Sequence, residues 1–217
     1  DVAAEAKVDF IKFQTFKASE LVTQKAEKAD YQKNSSNNES QFEMLKSLEL
    51  DPHQLKNLKN YCNEKNIRFL STAFDRESID LLTDLNIPFY KIPSGEITNL
   101  PYLRHIGKMN KPVVMSTGMS TLDEVKIAAS ILFENGLDKG DLTILHCNTE
   151  YPTPLEDVNL QAMITIKDEL GVQIGYSDHT LGIEIPIAAV AMGATIIEKH
   201  FTLDRTLPGP DHISSLE

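Results

Sequence analysis

The sequence predicts an α/β protein of the TIM (β/α)8 barrel class. Three observations carry this: short apolar runs alternate with helical segments, those runs are continuous in polarity, and a polar cluster follows every one of them. Continuous apolar runs suit strands covered on both faces, and strict alternation of strand and helix makes the sheet parallel. A doubly wound sheet or a closed barrel satisfies those two points equally. The polar clusters favour the barrel, because a doubly wound sheet gathers such residues at one switch point whereas a barrel mouth draws on every strand.

In order, the runs are Phe10 to Phe13, Arg68 to Thr72, Phe89 to Ile92, Val113 to Ser116, Leu142 to His146, Val172 to Tyr176 and Ala194 to His200. Ahead of them Asp1-Val2-Ala3-Ala4-Glu5-Ala6 is an Ala-rich helical pattern with no initiator Met or export signal. The chain is therefore expected to begin mid-element, with the barrel's first strand before Asp1 and its last helix after Glu217. Val22 to Asn38 is polar and aperiodic, which predicts a long strand-to-helix loop, either a lid or a surface excursion. Asp51-Pro52 sets an N-cap before a proline at the first helical position, and Thr121-Leu122-Asp123-Glu124 is a capping box ahead of Val125 to Phe133. Gly182 to Met192, apolar almost throughout, is long enough for the crossover helix between the last two strands.

At 217 residues the chain is read as one domain, 1–217, long enough to hide roughly 70% of its unfolded surface. Its 32 acidic against 21 basic side chains give a net charge of −11, which argues against a nucleic-acid partner. The longest apolar stretch, Ile185 to Ile197, is shorter than the ~18 residues of a membrane span and is interrupted by Pro186 and Gly193. Cys62 and Cys147 are too few and too far apart for a disulfide framework or a zinc knuckle, so both read as buried thiols in a reducing cytoplasm.

His179 and His200 end two apolar runs separated by one helix-length segment, so a strand-helix-strand unit brings them side by side at one rim. A single histidine there is most simply a hydrogen-bonded polar residue; two at equivalent positions suit a shared metal ion. Around the same rim fall the ammoniums of Lys12 and Lys91 and the hydroxyls of Thr72, Ser94, Ser116 and Ser177. Singly each hydroxyl suits a helix cap, but together with lysines they suit a phosphate. Glu96, after Ser94-Gly95, and Asp211, in Pro208-Gly209-Pro210-Asp211-His212, are carboxylates able to orient hydroxyls or move a proton, or simply to cap a helix and form a turn. His146 and His212 are secondary candidates for the mouth.

In order along the chain, Lys12-Phe13-Gln14-Thr15-Phe16-Lys17, Tyr90-Lys91-Ile92-Pro93-Ser94-Gly95-Glu96-Ile97-Thr98-Asn99, Ser116-Thr117-Gly118-Met119, Tyr151-Pro152-Thr153-Pro154, Gly175-Tyr176-Ser177-Asp178-His179-Thr180-Leu181-Gly182 and Glu198-Lys199-His200-Phe201-Thr202-Leu203-Asp204 resemble the signature of the sialic acid (N-acetylneuraminate, or nonulosonate) synthase family. The resemblance covers essentially the whole chain. It implies a TIM-barrel transferase that condenses phosphoenolpyruvate with an N-acylated hexosamine, releasing phosphate. It also implies a divalent ion on His179 and His200, typically Mn2+ with Mg2+ or Co2+ as alternatives. Phosphoenolpyruvate would be held by Lys12, Thr72, Lys91, Ser94, Ser116 and Ser177, with Asn148 or Thr149 nearby, and the sugar by Gln14, Glu96, Tyr151 and Asp211. Glu96, Lys91 and His179 are the expected catalytic residues, Glu96 handling the proton of the attacking water. The family's first strand and its C-terminal antifreeze-like domain have no counterpart in these residues, so an incomplete enzyme is expected here and a homodimer for the full-length protein. Ala73 stands where the family often has Pro. Rival readings are a synthase of phosphorylated 3-deoxy sugar acids, disfavoured by only four scattered arginines, and a noncatalytic sugar-binding module on a degenerate barrel.

Overall fold

A computed structural model describes residues 1–28, 40–209 and 211–217. Seven parallel strands form the wall: β1 (Phe10–Thr15), β2 (Arg68–Ala73), β3 (Tyr90–Ile92), β4 (Val113–Ser116), β5 (Leu142–Cys147), β6 (Gln173–Asp178) and β7 (Ile197–Lys199). The helices are α1 (Val2–Glu5), α2 (Ala18–Leu21), α3 (Gln41–Leu48), α4 (Pro52–Glu64), α5 (Arg76–Asp84), α6 (Leu100–Gly107), α7 (Leu122–Glu134), α8 (Gln161–Leu170) and α9 (Glu184–Ala191). β1 pairs with β2, and β3 to β7 pair each with the next, so neighbours in sequence are neighbours in space. That order is the wall of a (β/α) barrel; a doubly wound sheet has to jump between strands.

Beneath the continuous apolar runs lies a period of two. Phe13, Tyr90, Ile92, Ile144, Ile174 and Tyr176 point to the helix layer and belong to or pack on one hydrophobic core. Their alternates, Lys12, Leu70, Thr72, Lys91, Ser177 and Glu198, face the other side. Leu55 of α4, Leu82 of α5, Leu103 of α6, Leu132 of α7 and Met163 of α8 are fully buried in the outer layer, each contributing about 1.5–3 kcal/mol of burial. Leu70, Val114 and Leu145 bury apolar surface on the inner face too, and polar side chains take its positions near the carboxyl ends of the strands.

Both helix starts read from the sequence are capping boxes. Asp51 accepts from Gln54 N–H at 2.8 Å, and Thr121 accepts from Glu124 N–H at 3.3 Å. Ser40 makes a third with Glu43. The last two strands depart from expectation. β6 runs on to Asp178, so Ser177 and Asp178 lie in the ladder instead of the loop after it, while β7 starts only at Ile197. Ahead of it, Thr195 N–H bonds the Ile174 carbonyl and Ile196 accepts from Tyr176 N–H, holding the approach without regular register. Of the expected Val22 to Asn38 loop, residues 22–28 form neither helix nor strand, and 29–38 lie outside the described residues. Cys62 and Cys147 are free and buried, and among the described residues no helix is long and apolar enough to cross a membrane.

Candidate active site

Inward-facing positions near the carboxyl ends of the strands converge on one carboxylate that the sequence reading left without a role. Glu198 of β7 accepts from Ser177 Oγ of β6 at 3.3 Å. The same Oε1 lies 3.9 Å from Lys12 Nζ of β1 and 3.7 Å from Lys91 Nζ of β3. Lys12 also donates to Thr72 Oγ1 of β2 at 3.2 Å. Lys91, with a side chain 3% exposed, donates to Ser116 Oγ of β4 at 2.7 Å and to the Ile92 carbonyl at 3.1 Å. Burial alone would push the Glu198 carboxyl up; Lys12 and Lys91 outweigh it and hold it at about 2. Burial lowers Lys91 in turn, against the opposing pull of Glu198. Two ammoniums against one carboxylate leave this spot with a surplus positive charge on a chain of net charge −11, which is what an anionic ligand requires.

Beside it stand the two histidines, each one residue past the last rung of the β6–β7 ladder, in which Asp178 pairs with Lys199. Their ring centroids are 5.6 Å apart, and the Tyr151 ring lies 4.0 Å from His179 and 6.0 Å from His200. His179 Nδ1 sits 2.6 Å from the Asn148 carbonyl, an acceptor only, so the proton is assigned to Nδ1 and the Nε2 lone pair is left available. Burial lowers His179 to about 4, the Asn148 bond opposing, and lowers His200, the Asp211 carboxylate opposing. Both are then neutral at pH 7, the form that ligates a metal. Among the described residues no group of three His, Cys, Asp or Glu is placed to hold an ion. Two imidazoles do not make a closed structural site; they could hold an ion only if substrate and water supplied its other ligands.

The loops after β3, β4 and β5 interlock next to this centre. Ser94 Oγ accepts from Gly118 N–H at 2.9 Å and lies 3.2 Å from Cys147 Sγ. A Cβ on Gly118 would fall 2.5 Å from Thr149 Cγ2 and 2.9 Å from Ser94 Oγ, so only glycine fits there. Asn148 contributes its backbone carbonyl, its side-chain Nδ2 being turned to the Asp157 carbonyl at 2.9 Å. Gln14 stands exposed two residues beyond Lys12 on the same face of β1. Glu96 accepts from Asn99 Nδ2 at 2.6 Å, while Asn99 itself caps α6 by accepting from Tyr102 N–H, so Glu96 braces the capping residue and no described contact joins it to Glu198. His146 shares the outward face of β5 with Leu142 and Ile144 and lies by Tyr176, so it is not at the mouth. His212 is bonded to Thr202 Oγ1 at 2.7 Å. The signal for Glu198 was available: it lies two residues before His200, hence on the same strand face.

A parallel strand-and-helix wall with an electropositive pocket and an imidazole pair at its carboxyl rim defines an α/β protein of the barrel type. More particularly, the chain belongs to the NeuB family, whose model matches residues 1–217. It is 53% identical over 218 residues to the N,N'-diacetyllegionaminic acid synthase of Campylobacter jejuni, covering 100% of this chain and 65% of that protein. Against the enzyme of the same name from Legionella pneumophila the identity is 50% over 219 residues, covering 99% and 61%. The crystal structure of N-acetylneuraminic acid (sialic acid) synthetase from Leptospira borgpetersenii, in complex with citrate, superposes with a TM-score of 0.86 at 36% identity, covering 99% of this chain and 70% of that one. The chain thus spans somewhat under two thirds of the length of these two curated relatives.

Proposed function

We propose that the protein condenses phosphoenolpyruvate with an N-acylated hexosamine, giving a sialic-acid-type nonulosonate and inorganic phosphate. The single observation that carries this is the convergence of Lys12, Thr72, Lys91, Ser116 and Ser177 around Glu198, with the histidine pair alongside. The names of the two bacterial relatives favour a diacetamido sugar and a legionaminic-type product. On this reading the seven strands belong to an eight-stranded barrel.

The phosphate of phosphoenolpyruvate takes the lysines and hydroxyls that Glu198 now shares. Lys12 and Lys91 neutralise it, and Thr72, Ser116 and Ser177 donate to its oxygens. Glu198, held ionised by those lysines, is too weak a base to abstract protons at neutral pH. Its work is to keep Lys91 charged in a buried place and to orient both ammoniums. Tyr151, whose ring lies beside both histidines, Asp211, whose carboxylate acts on His200, and Gln14, exposed on β1, are assigned to the sugar. A divalent ion on His179 and His200, manganese by preference, would polarise the sugar aldehyde toward attack by the phosphoenolpyruvate methylene carbon. Glu96, once released from Asn99, is assigned the proton of the water that adds before phosphate leaves.

The test is phosphate release from phosphoenolpyruvate by the full-length protein with Mn2+ across a panel of N-acyl hexosamines, with His179→Ala in parallel. Release with a diacetamido sugar, abolished by the substitution, is the expected result. Metal binding without release on any sugar would replace this reading with a noncatalytic sugar-binding module.

A further inference from the structure

The β6–β7 ladder ends in two rungs that face opposite ways, and the histidine pair follows them. Ser177 and Glu198 pair on the inner face, Asp178 and Lys199 on the outer face, and His179 and His200 emerge next on the inner side. The last rung takes part in none of the chemistry described above, yet it is a buried ion pair: the Asp178 side chain is 0% exposed and that of Lys199 10%. Lys199 Nζ binds Asp178 Oδ2 and also donates to the Thr180 carbonyl at 2.6 Å. The other carboxylate oxygen, Oδ1, accepts from Thr180 N–H at 3.0 Å and Thr180 Oγ1 at 2.8 Å. Both sides of His179 are therefore gripped by one cluster, and the cluster is anchored on the residue immediately before His200.

We propose that the Asp178–Lys199 pair, with Thr180, is a positioning device that sets the separation and orientation of His179 and His200 for a divalent cation. This rests on the metal reading of the two histidines given above. The physical argument is one of register. A parallel ladder alone fixes residues 178 and 199 side by side, but His179 and His200 lie beyond its last hydrogen-bonded rung, where a chain normally splays. An ion pair removed from water holds only if its geometry is kept, and replacing it with apolar side chains is often neutral or better for stability. Its presence next to both imidazoles is explained by placement, since the backbone at His179 can shift only by straining the bonds to Thr180. The remaining tethers agree: His179 O accepts from Thr153 N–H, and His200 O from Leu216 N–H, both at 2.9 Å.

The experiment is Mn2+ binding by the full-length protein, read from the electron paramagnetic resonance signal of free Mn2+, for wild type, Lys199→Met, Lys199→Gln and Lys199→Arg. Folding is checked by circular dichroism at the binding temperature. We expect Lys199→Met to weaken Mn2+ binding at least tenfold while folded, Lys199→Gln to fall between, and Lys199→Arg to return within about threefold of wild type. Should the Met variant not fold, Lys199→Gln carries the comparison. Folded charge-free variants binding within twofold of wild type would overturn the proposal and leave the metal site standing. Binding unaffected by a His179→Ala control, or no binding by wild type, would instead sink the metal reading and the proposal with it.

Discussion

Replacing Glu198 by Gln removes the only anion described between Lys12 and Lys91 while keeping nearly the same shape and an acceptor for Ser177. At an effective dielectric of about 20, unit charges 3.7 and 3.9 Å apart each represent about 4 kcal/mol of gross attraction. Net values are smaller: stranding the partner of a buried pair costs about 3–5 kcal/mol. The Glu198 side chain keeps 24% exposure and that of Lys12 21%, which places the expectation near the lower bound. The direction of the carboxyl's shift agrees: against burial, the same lysines hold it down, to about 2. For a chain of this size a loss near that lower bound lowers the thermal midpoint by roughly 6–12 °C. The assay is thermal unfolding at pH 7 with and without inorganic phosphate. Phosphate should raise the midpoint of Glu198→Gln more than that of wild type, because it supplies the missing anion. A midpoint within 2 °C of wild type, or equal phosphate shifts in both proteins, would refute the picture of one donor set shared by Glu198 and ligand.

Gly118→Ala should destabilise by about 1–3 kcal/mol, since its methyl must displace Thr149 or the Ser94 hydroxyl, and should raise the KM for phosphoenolpyruvate more than it lowers kcat; steady-state kinetics and urea unfolding check both. Burial holds His146 below its ordinary 6.5, so as pH falls the unfolded chain takes up a proton before the folded imidazole does. Stability should consequently drop on going from pH 7 to pH 5, and His146→Phe should show a smaller drop than wild type in denaturant titrations at the two pH values. Asp51→Ala, which removes the acceptor for Gln54 N–H at the start of α4, should cost about 1 kcal/mol and leave activity unchanged; a loss of activity would mean that α4 does more than brace β2.

How much of this was legible depended on whether a residue's role was set locally. The caps at Asp51 and Thr121 are decided by three neighbouring residues, and both appear as read. The seven strands could be seen because each is short, apolar and flanked by helical segments. Strand ends were harder: polar Ser177 and Asp178 looked like loop, but pairing with Glu198 and Lys199 extends β6 through them. Lys12, Thr72, Lys91, Ser116 and Ser177 do meet, because strand-end position and inward parity are both properties of the strand. Asn148 illustrates the opposite case. Its side chain had been expected near substrate, yet its backbone oxygen is what serves His179, and no side-chain pattern reports a carbonyl's direction. Glu198 went unassigned because it sits among other charges at the end of an apolar run, where only the two-residue spacing to His200 separates it from Lys199.

The Lys12–Glu198 contact joins residues 186 positions apart, the first strand of the wall to the last. During synthesis, then, Lys12 and Lys91 wait for their carboxylate partner until the strand that carries Glu198 has emerged, 186 positions after Lys12. An anion seated between those strands would act as a clasp on a very long loop, whose closure entropy grows only slowly with length. Occupancy and closure of the wall are in this way tied together: the pocket comes into balance when β7 is laid down, and whatever fills it fastens β1 to β7.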